Sequence, residues 1–203
     1  MEWNSETNKT TILMDNQEWA NVKDIPEDAV FKGFSPDKKM LLFAYDISST
    51  TAKYMAIKVD DGKSFEIHSK DGSDSLQYCN WVKNKDGISS VVYVSNNNIH
   101  WKQGVNWDDH FLTDLNITSD GETGKIYNGI ADWMYKERVL GVDLAHYMND
   151  VGDMLAFAQF NDTMVNDFRY PFYGDVSIFY CLLFQTIFTD RMILATQTQS
   201  STL

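Results

Sequence analysis

Hydrophobic and polar positions along this chain follow one repeated plan, a tight polar turn that opens onto a short apolar run. Residues 40–45, Met-Leu-Leu-Phe-Ala-Tyr, stand behind the turn Ser35-Pro-Asp37. Pro36 presets φ there, and the Asp37 carboxylate is placed to accept a backbone hydrogen bond. The plan returns after Trp81, where a polar turn leads into Val91-Val-Tyr93. It returns again after Tyr147, where Asn149-Asp-Val-Gly-Asp153 leads into Met154-Leu-Ala-Phe157. Residues 54–59 and 64–68 flank Asp60-Asp-Gly62 and predict a hairpin. Residues 98–102 and 109–113 predict a second pair. Long amphipathic helices are absent from the pattern. Only residues 132–140 read as a short helix, with Asp132 as its N-cap.

The spacing of these marks predicts an architecture. Phe34 and Trp81 stand 47 residues apart, whereas Trp81 and Tyr147 stand 66 apart. A four-stranded propeller blade repeats every ~40–50 residues, so the first interval fits one blade. The second is longer by about 19 residues, and the excess covers residues 132–141. The sequence therefore predicts an all-β chain: a partial β-propeller of about three four-stranded antiparallel blades, with a short helix projecting near residues 132–140. Projecting segments on a rigid scaffold are where function concentrates. After Asp175 the pattern dissolves. Residues 178–188 are almost continuously apolar and residues 197–203 are polar. The expected division is a propeller portion over residues 1–175 and a divergent tail over 176–203.

Composition narrows the chemistry. The formal net charge of −12 excludes a nucleic-acid partner, because phosphate repels a net anion. The two cysteines, Cys79 and Cys181, form no CxxC, which leaves one disulfide or two buried thiols open. Residues 1–6 carry neither the basic nor the apolar segment of a signal peptide. The most apolar stretch, residues 176–195, is broken by Asp190 and Arg191, and its uncharged part falls short of the ~20 residues of a membrane span. Candidate N-glycosylation acceptors stand at Asn8, Asn116 and Asn161, each two residues before a threonine. The chain has no Gly-x-Ser-x-Gly elbow and no HExxH. Gly62-Lys-Ser64 lacks the earlier glycine of a phosphate loop, since Ile57 occupies that place. No catalytic residue, metal site or cofactor is expected from this sequence.

One stretch is specific enough to suggest kinship. Tyr127-Asn-Gly-Ile130, Asp132-Trp133, Tyr135, Glu137, Val139 and Ala158-Gln-Phe-Asn-Asp-Thr163 resemble the propeller of the dipeptidyl peptidase IV family of serine exopeptidases. That family includes non-enzymatic members associated with potassium channels. The Ser35-Pro-Asp37 turn, Tyr93, Tyr170 and Phe172-Tyr173 fit the same propeller. The resemblance implies an eight-bladed propeller feeding an α/β-hydrolase domain that carries a Ser, Asp and His triad. It also implies a plasma-membrane or extracellular setting. Nothing in these 203 residues corresponds to that triad or to an anchor.

The resemblance further implies a docking site. In the enzymes a tyrosine is followed by three glutamates, the second and third of which hold the substrate's ammonium group. Two carboxylates suit that task, because each accepts charge-assisted hydrogen bonds from one –NH₃⁺. Here the run is Lys136-Glu137-Arg138, so Glu137 keeps one docking position and Arg138 replaces the other. A second docking group, an arginine from an earlier blade, aligns with residues 47–51, which contain none. Asp132, Trp133, Tyr135, Gln159, Phe160, Asn161 and Asp162 are read as structural parts of the motif, with Asn161 and Asp162 capping the turn that follows. Two readings of the Lys-Glu-Arg run stand side by side: a solvated helix face, or a degraded site for peptide amino termini. For the whole chain the expectation is a docking propeller, non-catalytic by itself. The alternative is a protein-binding module of a non-enzymatic branch, contacting a membrane protein or a partner subunit. Three blades cannot close a ring, so association through open blade edges is also expected.

Overall fold

The computed structural model describes residues 2–4, 6–11, 25–83, 88–106, 110–165, 167–168, 184–185 and 193–198. A small hairpin, β1 (Glu2–Asn4) and β2 (Lys9–Thr11), precedes three antiparallel blades. The first blade runs β3 (Val30–Phe34), β4 (Met40–Tyr45) and β5 (Ala52–Lys58). Its fourth rank is split. β6 (Ser64–Glu66) pairs with residues 55–57 of β5, and β7 (Ser75–Leu76) pairs with residues 52–53. The predicted hairpin across residues 60–62 is present as the β5–β6 pair. The second blade runs β8 (Tyr78–Lys83), β9 (Ser89–Ser95), β10 (Asn98–Asn106) and β11 (His110–Asn116) in simple meander order.

The third blade is built differently. β12 (Ile126–Asn128) and β13 (His146–Met148) both pair along one edge of β14 (Met154–Asn161). Residues 126–128 face 159–161, and residues 146–148 face 155–157, so β12 and β13 form a single strand interrupted by an insertion. β17 (Ile193–Thr198) lies along the other edge of β14, which brings six residues of the segment 176–203 into this sheet. Between these, β15 (Asp167–Phe168) pairs with β16 (Phe184–Gln185).

Stacked blades explain the unbroken apolar runs. A strand covered on both faces has no polar side to show, so alternation disappears. In β9, Val91 and Tyr93 pack toward the first blade with Leu42, Tyr54, Phe65 and Trp81. Val92 and Val94 of the same strand pack toward the third blade with Ile99, Trp101, Leu155 and Phe157. Each of the fully buried Leu42, Ile57 and Val92 contributes about 1.5–3 kcal/mol of apolar burial. Cys79 is a free thiol inside the first interface, and burial pushes its pKa up, so it is an inert core group.

Turn chemistry fixes the register. Ser35 accepts at Oγ from the Met40 amide and donates to Asp37, which closes the Ser-Pro-Asp turn. The β9–β10 turn holds Asn96 and Asn97 at φ 51° and 59°, the left-handed pair that a two-residue hairpin of the right twist requires. Asn149 closes the β13–β14 turn by accepting at Oδ1 from the amides of Gly152, Asp153 and Met154.

Candidate functional site

The insertion between β12 and β13 projects from the blade as a stalk with a helical tip. Its stalk is a short antiparallel ladder: the Ala145 amide donates to Gly129 O at 3.0 Å, and the Ala131 amide to Asp143 O at 2.8 Å. Gly129 sits at φ 70°, and a Cβ there would stand 2.6 Å from Ile99 Cδ1, so the stalk can leave the blade only at a glycine. The tip is a π-helix, Tyr135–Leu140, entered through a helical turn at Trp133 and Met134. Asp132 is buried, and its Oδ1 accepts from the Tyr135 amide at 2.7 Å, the capping role read from the sequence. Gly141 ends the helix at φ 70°, donating its amide to Lys136 O at 2.9 Å. The Tyr135 ring rests 4.6 Å from that of the buried Phe160, which ties the tip to β14. Lys136 Nζ bridges to Asp143 Oδ1 at 2.8 Å across the stalk.

A buried polar network holds the root of this insertion. Asn128 is fully buried; its Nδ2 donates to Asp120 Oδ1 at 2.9 Å, and its Oδ1 accepts from Gln159 Nε2 at 2.9 Å. Gln159 also donates to Asp120 Oδ2 at 2.7 Å. Asn97 reaches in from the second blade, donating from Nδ2 to Glu122 O and Ile126 O, while its main-chain O accepts from the Asn128 amide. Gln77, on the link from the first blade to the second, donates from Nε2 to Asn97 Oδ1 and accepts at Oε1 from the Asn97 amide, both at 2.7 Å. All three blades therefore converge on the strand that carries the projecting helix.

Between the helix and the first blade lies a cleft of about 570 Å³. One wall is the turn at residues 47–51 together with Ala52 and Tyr54. The other is formed by Tyr127, Ile130, Trp133, Lys136 and Glu137. Trp133 is 53% exposed at its mouth. Burial raises the Tyr127 phenol above its ordinary value, and the carboxylates of Asp162 and Asp132 add to the rise, so this hydroxyl stays protonated. The turn at residues 47–51 satisfies itself: Ser48 Oγ accepts from the Thr51 amide at 3.0 Å, and the Ser48 amide donates to Thr51 O at 2.8 Å.

The sequence-derived positions separate by role. Glu137 lines the cleft, whereas its neighbour Arg138 is exposed and does not line it. Adjacent positions on a helix do not face each other, and no ion pair joins the two among the described residues. The turn at residues 47–51 and Glu137, 86 positions apart from Thr51 in sequence, meet in one cleft. Asp132, Tyr135, Phe160 and Gln159 hold the insertion in place. Asn161 Oδ1 accepts from the Thr163 amide at 3.0 Å and from Thr163 Oγ1 at 2.6 Å, and the Val165 amide donates to Asp162 O, which shapes the turn after β14. Of the other candidate glycan acceptors, Asn8 lies exposed in the β1–β2 turn and Asn116 lies exposed at the end of β11. The histidines are held by packing: His100 stacks on Tyr93, His110 on Phe65, and His146 meets the edge of Tyr78, while His68 Nδ1 stands 3.0 Å from Asp74. Among the described residues no cluster of His, Cys, Asp and Glu is arranged to hold a metal, and no helix is long and apolar enough to cross a membrane. Sequence reasoning missed Lys32 and the Asn97–Asn128 network, which matter through contacts between blades, and Asp143, which matters through its pairing with Lys136 across the stalk.

Comparison with known proteins bears on family and fold. The family model described as the dipeptidyl peptidase IV (DPP IV) N-terminal region matches residues 35–181. Inactive dipeptidyl peptidase 10 of Rattus norvegicus is 34% identical over 179 residues, covering 84% of this chain and 21% of the relative. Dipeptidyl peptidase 4 of Felis catus is 33% identical over 183 residues, covering 83% of this chain and 23% of the relative. The chain thus spans about a fifth of the length of these curated relatives. The crystal structure of Porphyromonas gingivalis dipeptidyl peptidase 4 superposes with a TM-score of 0.65 at 19% identity, covering 99% of this chain and 29% of that one, a likeness of fold. With the family model extending over most of its length, the chain belongs to the dipeptidyl peptidase IV N-terminal region family.

Proposed function

We propose that this chain is a docking propeller segment whose cleft receives the amino terminus of a peptide, with no catalysis of its own. The carrying observation is the position of Glu137, a carboxylate on the projecting helix that lines a cleft closed on its other side by the turn at residues 47–51. A cleft of this size falls within the ~300–1,000 Å³ of small-ligand sites. Glu137 supplies an acceptor for an ammonium group, and Trp133 and Tyr54 supply apolar walls. A site with one carboxylate holds an amine weakly, and Arg138 beside it opposes an incoming cation through solvent. The relatives named above include both an inactive protein and a peptidase, which is compatible with a segment that binds without reacting. Titrating the chain with a short peptide amide, followed by Trp fluorescence, tests the reading. Glu137→Gln is expected to weaken binding about two- to fivefold, as for an exposed ion pair. Unchanged binding would reduce the helix to a solvated face.

A second reading is favoured by the helix tip. Val139, Leu140 and Val142 are 63%, 41% and 53% exposed. Apolar groups grouped on a projecting element suit a protein surface better than water. In that reading the insertion contacts a membrane protein or a partner subunit. Replacing Val139 and Val142 by aspartate would abolish such capture and leave peptide binding at Glu137 intact.

A further inference from the structure

Four charged side chains line the cleft: Lys32 from β3, and Lys136, Glu137 and Asp143 from the insertion. Lys136 and Asp143 neutralise each other at 2.8 Å. That leaves one carboxylate, Glu137, on the helix wall and one ammonium, Lys32, on the blade wall. Both are exposed, and neither makes a hydrogen bond or ion pair with another of the described residues. Between them the cleft carries apolar and aromatic groups from both walls, Ala52 and Tyr54 on one and Ile130 and Trp133 on the other. The other polar groups of the lining, among them Ser49, Thr50, Gln77 and the Tyr127 hydroxyl, are uncharged, so Glu137 and Lys32 offer the unpaired full charges to the two ends of a ligand.

We infer that the cleft selects dipolar peptides, with the amino terminus at Glu137 and a carboxylate carried within the next few residues at Lys32. The inference rests on the docking reading above and adds the chemical class of ligand. A neutral peptide satisfies Glu137 and leaves Lys32 solvated. A peptide with an acidic side chain near its start, or a free di- or tripeptide with its own terminal carboxylate, satisfies both charges. The two walls belong to different blades, so blade stacking and the stalk together bring the two charges to one cleft. Lys136 is a poorer partner than Lys32, because its ammonium is already engaged by Asp143 at 2.8 Å.

The test uses the 203-residue chain and three peptides: Ala-Glu-Ala amide, Ala-Gln-Ala amide and Ala-Gln-Ala free acid, each also in N-acetylated form. Binding is read by calorimetry and Trp fluorescence. Both carboxylate-bearing peptides are expected to bind about two- to fivefold more tightly than the neutral amide, the range of an exposed ion pair. A preference for only one of them identifies whether the carboxylate comes from the side chain or the terminus. Lys32→Gln should erase the preference while free amines still outbind acetylated ones. Lys32→Glu, an exposed change that leaves the core untouched, should invert it. Raising salt from about 0.05 to 0.5 M should shrink it by screening. Equal affinity of the acidic and neutral peptides for the native chain, or a preference that survives Lys32→Gln, overturns the inference. Binding that ignores N-acetylation overturns the docking reading itself, so the two failures are distinct.

Discussion

Removing the Asn97 side chain should loosen the whole site, although Asn97 itself does not line the cleft. Asn97 is 2% exposed and makes three side-chain bonds: 3.0 Å to Glu122 O, 2.9 Å to Ile126 O and 2.7 Å from Gln77 Nε2. Each contributes about 1 kcal/mol net, giving about 3 kcal/mol for the set. Asn97 also sits at φ 59°, where alanine is strained by a further ~1 kcal/mol. Asn97→Ala should therefore cost about 4 kcal/mol, a large share of the ~5–15 kcal/mol that a domain commands. With a urea slope near ~2 kcal/mol per M, the unfolding midpoint falls by about 2 M. Asn97→Gly adopts the same φ freely, so its loss reports the hydrogen bonds together with the ~0.5–1 kcal/mol entropic cost of a glycine. Local opening should follow the same route. The Glu122–Ile126 turn leads directly into Asn128 and the stalk, so amide exchange at Gly129, Ala131 and Ala145 should accelerate in both variants. A midpoint shift below about 0.5 M for Asn97→Ala would refute the claim that this side chain locks the third blade to the second.

Three further outcomes follow from the same contacts. His146 is held neutral: burial depresses its pKa, partly offset by its bond of 2.7 Å to Gly129 O. The unfolded chain then binds the extra proton below about pH 6.5, so stability is full above that value and falls by up to ~1.4 kcal/mol per pH unit as pH drops toward the folded pKa. His146→Phe should flatten that part of the slope between about pH 6.5 and 5, and identical slopes in urea titrations would count against it. Asp132→Ala should cost about 1 kcal/mol and expose the Tyr135 amide to exchange, while Asp132→Asn keeps most of the cap; a protected Tyr135 amide in the alanine variant would remove Asp132 from that role. Arg138→Glu should tighten binding of a free-amine peptide, by up to about fivefold at low salt, and no change would show that the second docking position is out of reach.

The blade plan was legible because its signals are local. Ser35-Pro-Asp37, Asp60-Asp-Gly62 and Asn149-Asp-Val-Gly-Asp153 name their turns by side-chain chemistry within five residues. Unbroken apolar runs such as Met40–Tyr45 mark strands covered on both faces. The extra length between Trp81 and Tyr147 located the insertion, and Asp132 announced its helix. The hydrogen-bond pattern of that helix was not legible, since a π-turn differs from an α-turn by one residue of register. β17 was hidden because an apolar run grading into a polar tail carries no period and no turn signal. The site was half legible. Glu137 and Arg138 were singled out by the motif run, but that Glu137 lines the cleft and Arg138 does not depends on how the stalk leaves the blade. Lys32 was unreadable, because a lone lysine on a strand acquires meaning only when another blade brings a carboxylate opposite it.

The central claim is that the cleft beside Glu137 recognises a peptide's free amino terminus. Its most direct test is the ratio of affinities of the native chain for one short peptide in free-amine and N-acetylated forms, measured by calorimetry at low salt. The account predicts that the free amine binds about two- to fivefold more tightly, and that Glu137→Gln brings the ratio to one. Equal affinity of the two forms for the native chain would contradict it.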